Sequence, residues 1–406
     1  MHVLFVEPKF PFNQRQFVRG LAEVGARVTG IGEAPIEALD GELKGWLRGY
    51  EQVRSVVDEG ALADAVRRVQ RREWVDRLEA TVEAHIMAAA NVREATGIPG
   101  TSTRTAYLCR DKPAMKEVLR EAGIPCAQSR GVSHPQELRA FAAEIGYPII
   151  LKPRSGAGAS GTRRIDNERE LESAAVEMGL DRGHSVAAEE FIEGHEGFFD
   201  TLTIGGRIVH HFISHYYPNV LEAMRTRWIS PQIVTTNRVD AAGYSELRTL
   251  GQKVVDALGI GTSATHMEWF FGAKGLKFSE IGCRPPGVGV WDLYAAANDF
   301  DIYREWASAI VAGRPSQTLS RRYAAGMIAL RPDRDGRVSH YEGLDAIQRS
   351  YGEWIIDTHI PPAGSPTGGV EGGYMANAWI RMKHPDYDTL RQMLDHVGRT
   401  VKVRAT

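Results

Sequence analysis

Cysteine is scarce. The 406 residues hold three, Cys109, Cys126 and Cys283, at spacings that match neither a zinc-ligand pair nor a disulfide framework. The sequence therefore reads as that of a protein from a reducing compartment, and Cys283 reads as a buried, inert thiol rather than a reactive one. Long apolar runs are missing too. Nothing approaches the roughly 18 residues needed to span a bilayer, and the apolar run in MHVLFVEPK is too short for a secretory leader. A cytoplasmic protein without a membrane partner is the expectation. Charge of one sign is not in excess either: 49 Lys and Arg stand against 51 Asp and Glu, for a net charge of -2. No broad basic surface follows, which argues against nucleic acid as a main partner. Finally, there is no Ser-His-Asp or Cys-His pattern, so covalent catalysis by a side chain is not indicated.

With 43% hydrophobic and 25% charged residues, the chain is long enough for two or three domains, each with its own core. Val3–Val6 reads as a short buried strand. Phe17, Val18, Leu21 and Val24 follow at helical spacing, Gly25 ends the helix, and Arg27–Ile31 reads as a second strand. This βαβ opening predicts a parallel sheet. The turn EPKFPFNQ lacks a glycine-rich phosphate loop, so it is not a dinucleotide site. One long amphipathic segment from Leu62 to Glu94, with His85 as a satisfied interface residue, is expected to complete this domain before the turn at 97–100.

Asp111 is placed to cap a helix running through Lys112, Met115 and Leu119. An apolar strand, YPIILKP, then carries Lys152, whose charge needs an anionic partner. The loop RSGAGASGT supplies backbone N–H groups close to small residues, with Ser155 and Ser160 as hydroxyl donors, which suits phosphate oxygens. A plain flexible turn is the other reading. Gly156-x-Gly158-x-x-Gly161 matches the dinucleotide string, but Thr162–Ile165 reads as a returning strand where that fingerprint requires a helix. The next helix starts near Asn167, with Glu170 closing a capping box.

The most informative stretch is HMEWFFGAKGLKFSEIGCRPP, residues 266–286, which reads as a β-hairpin around GAKG. A three-residue turn, with Gly275 in the left-handed position, pairs Gly272 with Leu276 and sets Glu268 opposite Glu280. Either these carboxylates face solvent, or a cation such as Mg²⁺ or Mn²⁺ lies between them, since like charges directly opposed destabilise a hairpin. Arg284 falls near the same spot as an anion clamp. A two-residue turn would place the two glutamates on opposite faces.

Taken in order, these pieces resemble the ATP-grasp superfamily over roughly residues 105–311. They are a helix lysine, a strand lysine with a glycine-rich loop, the string EEFIEGHE, and two acidic strands ending EIGCRP. The resemblance implies that Lys112 and Lys152 contact nucleotide phosphates under the loop of Ser155, Gly156, Gly158, Ser160 and Gly161. It implies that backbone groups of Glu190 and Ile192 hold the adenine, with Glu189 beside it, and that Glu196 takes the ribose hydroxyls. Glu268 and Glu280 would ligate magnesium, and Arg284 would steady the transferred phosphate, with Lys152 and Arg284 as the catalytic pair. One position departs from the family pattern: Gly282 stands where the family commonly has Asn, which leaves the number of ions open.

Among ATP-grasp enzymes the layout looks most like the amino-acid ligases, which activate a carboxylate with ATP and join it to an amine. The fold expected is α/β and α+β: a Rossmann-like N-terminal domain (1–104), the small ATP-grasp subdomain with the loop (105–187), the large subdomain with the metal site (188–315) and a small C-terminal α+β lobe (316–406). The expected cofactors are ATP and Mg²⁺ or Mn²⁺, the partners small acids and amines such as amino acids, and a homodimer is compatible with this reading. In SHYYPNVLEAMRTRW the residues His215, Tyr216, Glu222, Arg225 and Trp228 are candidates for holding an amino acid, as is His266. Two other readings stay open: a biotin-carboxylase-like enzyme using bicarbonate, although no carrier segment is recognisable, and a nucleotide-binding protein without ligase activity.

Overall fold

The computed structural model describes residues 1–155, 161–374 and 377–406. Gly156, Gly158 and Ser160 of the phosphate loop lie outside the described residues.

Val3–Val6 is fully buried, and the strands His2–Val6 and Arg27–Gly32 pair in parallel across the helix Gln14–Glu23. The sheet has four strands, in the order Gly49–Gln52, Arg27–Gly32, His2–Val6, Arg77–Glu79. The last of these corrects the long amphipathic segment expected from Leu62 to Glu94. It is two helices, Glu59–Gln70 and Ile86–Thr96, separated by a short strand that pairs with His2–Val6. Only Leu78 of that strand is buried, and charged residues flank it, so an alternating pattern had too few positions to show. His85 is not satisfied: its Nδ1 is buried and bonds to no described residue.

The N-terminal unit is fastened to the rest by helix packing. Gly20 lies against the backbone of Tyr303, where an added Cβ would stand 2.6 Å from the carbonyl oxygen, so only glycine lets the helices Gln14–Glu23 and Ile302–Ala312 approach this closely. Phe5 and Phe17 pack on Trp306 in the same contact, with ring centroids 6.3 and 5.1 Å away.

A second four-stranded sheet runs Ser129–Val132, Val186–Glu190, Ile149–Pro153, Arg163–Ile165. The returning strand and the helix Glu168–Glu177, capped by Asn167 at the Glu170 amide (3.1 Å), are as expected. The third sheet has eight strands and holds both His195–Ile204 and Arg207–Tyr217 and the hairpin Ser263–Gly272 with Gly275–Gly282. It continues without a break through Gln232–Thr235 into Ala324–Leu330, Ala378–His384 and Ile355–His359. The boundary drawn at 187 thus passes within a strand of the small sheet, and the one at 315 divides a continuous sheet. Among the described residues no helix is long and apolar enough to cross a membrane.

The hairpin reaches its expected register by a different route. Gly272 pairs with Gly275, so the turn has two residues, Ala273 and Lys274, and not three. Alone, that would put Glu268 and Glu280 on opposite faces. The ladder slips once, however: Trp269 faces Phe278 and Glu268 faces Glu280, so Ser279 is an extra residue, a β-bulge that restores the shared face. Deleting Ser279 should remove the bulge and leave Glu280 facing Glu268 in a regular ladder. Mn²⁺ affinity in the presence of an ATP analogue, read by EPR, should then stay within about threefold of the wild type, while Glu280→Gln should lower it at least about tenfold.

Candidate functional site

The even-numbered residues of the long central strands share one face of the eight-stranded sheet, because Glu268 opposes Phe198 and Glu280, and His266 opposes Asp200. The small sheet lies over that face and lowers Lys152 onto it. Its ammonium is 2.8 Å from Glu189 Oε2 and 3.4 Å from Glu280 Oε2. Lys112, at the start of the helix Lys112–Glu121, reaches the same Glu280 oxygen at 3.5 Å. Asp111 fixes that helix start twice, accepting from the Ala114 amide at 3.0 Å and from the Arg154 guanidinium at 2.9 and 3.0 Å.

One member of this network was missed from the sequence. Lys116, 1% exposed, donates to Glu189 Oε2 at 2.6 Å. Its four-residue spacing from Lys112 puts both ammoniums on one face of the helix, a signal that was readable. Burial pushes Lys116 down to about 8, although Glu189 pulls the other way. For Glu280, burial alone would raise the carboxyl, but the ammoniums of Lys152, Lys112 and Lys116 overcome it and hold the group at about 2. Glu189 is likewise held below the ordinary range by Lys116 and Lys152 against its burial, and Lys152 is raised because its two carboxylates outweigh its own.

Glu196 has the opposite environment. Burial, and then the Glu268 charge, push it up to about 8, while the Val220 amide donates to its Oε2 at 2.7 Å. The Glu190 amide is bonded to the Gln128 carbonyl at 2.9 Å, and its carboxylate meets Lys274 at 2.9 Å. The backbone of Ile192 bonds to no described residue, which leaves it available to a ligand. Ser155 is exposed at the end of the Lys152 strand, and Gly161 turns back at φ 70° against Pro153.

His266 sits between two acids, 2.7 Å from Asp200 Oδ1 and 3.8 Å from Glu268 Oε1, and Asp200 also accepts from the Tyr294 hydroxyl at 2.5 Å. Despite burial, Asp200 raises the imidazole to about 9, so it is protonated at neutral pH. Arg284 is not aimed freely at the carboxylates: its Nε donates to Glu83 of the N-terminal unit at 2.9 Å and its Nη1 to the Pro285 carbonyl at 2.8 Å. Glu83, which nothing in the sequence marked, also lies 3.3 Å from Arg110.

The proposed amino-acid residues divide. Tyr216 is on the carboxylate face, its ring tilted against those of Phe198 and Tyr374, with centroids 4.9 Å from each. His215 is a correction: strand alternation sends it to the opposite face, where it bonds His195 at 2.9 Å and the Tyr244 hydroxyl at 2.8 Å. Glu222, Arg225 and Trp228 have exposed side chains that bond to none of the site's acids or lysines. Cys283, like Cys109 and Cys126, is buried, as its inert reading requires.

Two opposed carboxylates suit Mg²⁺, which binds through one or two protein oxygens and keeps waters and phosphate oxygens for the rest. Among the described residues no three His, Cys, Asp or Glu come together as a ligand set. Glu268 and Glu280 thus fit a divalent ion shared with a phosphate ligand. Because Lys116 titrates in the range of pH 7–9, nucleotide affinity measured by calorimetry should weaken by a few-fold, roughly 0.5–1 kcal/mol, as pH rises through 8 and the ammonium is lost. Lys116→Met should flatten that slope.

Residues 117–300 match the family model described as the ATP-grasp domain. The chain is 28% identical over 284 residues to an L-arginine-specific L-amino acid ligase of Bacillus subtilis, covering 68% of each chain. It is 25% identical over 308 residues to a formate-dependent phosphoribosylglycinamide formyltransferase of Janthinobacterium sp. (strain Marseille), covering 72% of this chain and 71% of the relative. The crystal structure of an L-amino acid ligase from Bacillus licheniformis superposes with a TM-score of 0.76 at 18% identity, covering 100% and 98% of the two chains, and shares the fold.

Proposed function

We propose that this chain, whose residues 117–300 match the ATP-grasp domain, is an ADP-forming carbon–nitrogen ligase that activates an amino acid's carboxylate and joins it to an amine as an amide or peptide bond. The observation that carries this reading is the convergence of Lys112 and Lys152 on Glu280, directly across the hairpin from Glu268. Mg²⁺ and ATP, when bound, supply the phosphoryl group and neutralise its charge, so the protein's task is positioning and electrostatics.

In this reading Lys112 and Lys152 would exchange Glu280 for the phosphate oxygens, and Glu280 with Glu268 would hold the divalent ion. Ser155 and Gly161 would border the phosphates, Glu190 and Ile192 would hold the base beside Glu189, and Glu196 would meet the ribose. Arg284 turns from Glu83 toward the transferred group, and protonated His266 lines the acid's side of the site. Tyr216 is retained as a substrate contact. Glu222, Arg225 and Trp228 contribute only if their segment folds inward. The reaction belongs in the cytoplasm, where ATP is available, and its partners are small acids and amines.

The similarity to a formate-dependent enzyme favours one other reading, in which the acid is a small carboxylate and not an amino acid. ADP release from Mg²⁺-ATP, measured against acids and amines singly and in pairs and followed by mass spectrometry, separates these readings. A product equal to two amino acids less water is expected. Turnover that needs only formate or bicarbonate would replace this reading, and absence of turnover with every acid would leave a nucleotide-binding protein. Arg284→Ala should lower kcat by about 10²–10³, with little change in nucleotide affinity.

A further inference from the structure

Arg381 lies on the strand Ala378–His384, five strands along the sheet from Glu268. It is only 7% exposed, yet its pairing is incomplete. Nη1 donates to Asp292 Oδ2 and Asp357 Oδ2, each at 3.1 Å. Nε is buried without a partner, and Nη2 bonds to no described residue. The Trp379 ring covers the guanidinium plane, 4.1 Å from its carbon. A guanidinium removed from water with donors unmet is costly, and its Nε–Nη2 edge is the fork that matches a carboxylate.

That edge points at a second anion-attracting feature. Nη2 abuts Gly289, where an added Cβ would stand 1.8 Å from it. Gly289, at φ 69°, opens the nine-residue helix Val290–Asn298 and offers no side-chain cap. The Val290 and Asp292 amides are bonded to the Gly287 and Gly289 carbonyls, each at 3.1 Å, so the helix end contributes the partial positive charge of its dipole. Against this stand the two aspartates, whose side chains are 41% and 45% exposed. With Arg381 they sum to one negative charge, which opposes a bare anion and favours a ligand that carries a cation close to its carboxylate. An α-amino acid has that arrangement. Trp379 also lines an open groove with His359, Pro361 and Pro366, a surface suited to an aromatic or apolar side chain.

We propose that Arg381, the Gly289 helix end, Asp292 and Asp357 bind an α-amino acid, its carboxylate on the unpaired Nε–Nη2 edge of the guanidinium and its ammonium between the aspartates. The proposal deepens the ligase reading by naming a place where an amino acid docks, and rests on that reading for its use, not for the binding itself.

Equilibrium dialysis of the full chain without nucleotide tests it, using L-phenylalanine, 3-phenylpropionate and phenethylamine as probes. Phenylalanine should bind at least about tenfold tighter than either half-molecule, and Arg381→Met should weaken it by a similar factor. Asp357→Asn, at a half-exposed position where folding is not at stake, should do the same, and Arg381→Lys should restore part of the loss. Unchanged phenylalanine binding in folded Arg381→Met and Asp357→Asn would overturn the proposal, as would 3-phenylpropionate binding equally well or no binding at all to the wild type. ADP release on the same preparations keeps the two ideas apart. Variant-sensitive binding without ADP from any pair would keep the site and remove the ligase reading; amino-acid-dependent ADP with variant-insensitive binding would do the reverse.

Discussion

One buried ammonium organises the centre of this protein. Lys152 belongs to the small sheet, and its two carboxylates come from different places: Glu189 from the neighbouring strand, Glu280 from the eight-stranded sheet beneath. A charge so buried is tolerated only when paired. The pairing therefore does two things together: it keeps both glutamates ionised and it holds one sheet against the other. Lys116 and Lys112 extend the pattern at either end, so that cations and carboxylates alternate from the helix into the hairpin. An ion arriving alone would have to compete with two ammoniums for Glu280. A nucleotide's phosphates would attract those ammoniums and release the carboxylate in the same event.

Much of this was readable in the sequence because it depends on local chemistry. The caps at Asp111 and Asn167, the returning strand after the phosphate loop and the parallel opening all follow from residue type and period. The facing of Glu268 and Glu280 was also read, but through a turn that is not there. A two-residue turn and a bulge at Ser279 cancel, and neither leaves a strong mark in sequence, since a bulge is set by how a strand must twist against its partners. His215 and Tyr216 show a simpler limit. Adjacent strand residues point to opposite faces, so they cannot both face one site, and the register turns Tyr216 to the carboxylate face and His215 away from it.

The residues that were not legible are those whose roles depend on distant partners. Glu83, between Arg110 and Arg284, joins segments some two hundred positions apart, and Asp200 acquires meaning only beside His266 and Tyr294. Lys116 is the exception, since its spacing from Lys112 was visible and its burial was not. The C-terminal region posed another problem. Its strands read as a small separate unit, whereas Ala324–Leu330 pairs directly with Gln232–Thr235 and carries the sheet onward.

That continuity settles which part of the protein is anchored. A lobe whose strands are hydrogen-bonded into the sheet that bears the hairpin cannot swing away without breaking ladder bonds. The helix contact sealed by Gly20 fixes the N-terminal unit just as firmly to the opposite flank. Among the described residues the small sheet shares no such ladder with the large one, only the isolated bridge of Cys126 to Phe278, and its ends join the body near Gly123, at φ 70°, and Gly194, at φ 154°. The protein is thus built like a box with three walls joined by backbone ladders or close helix packing and a cover held on by side chains, with Lys152 as the latch.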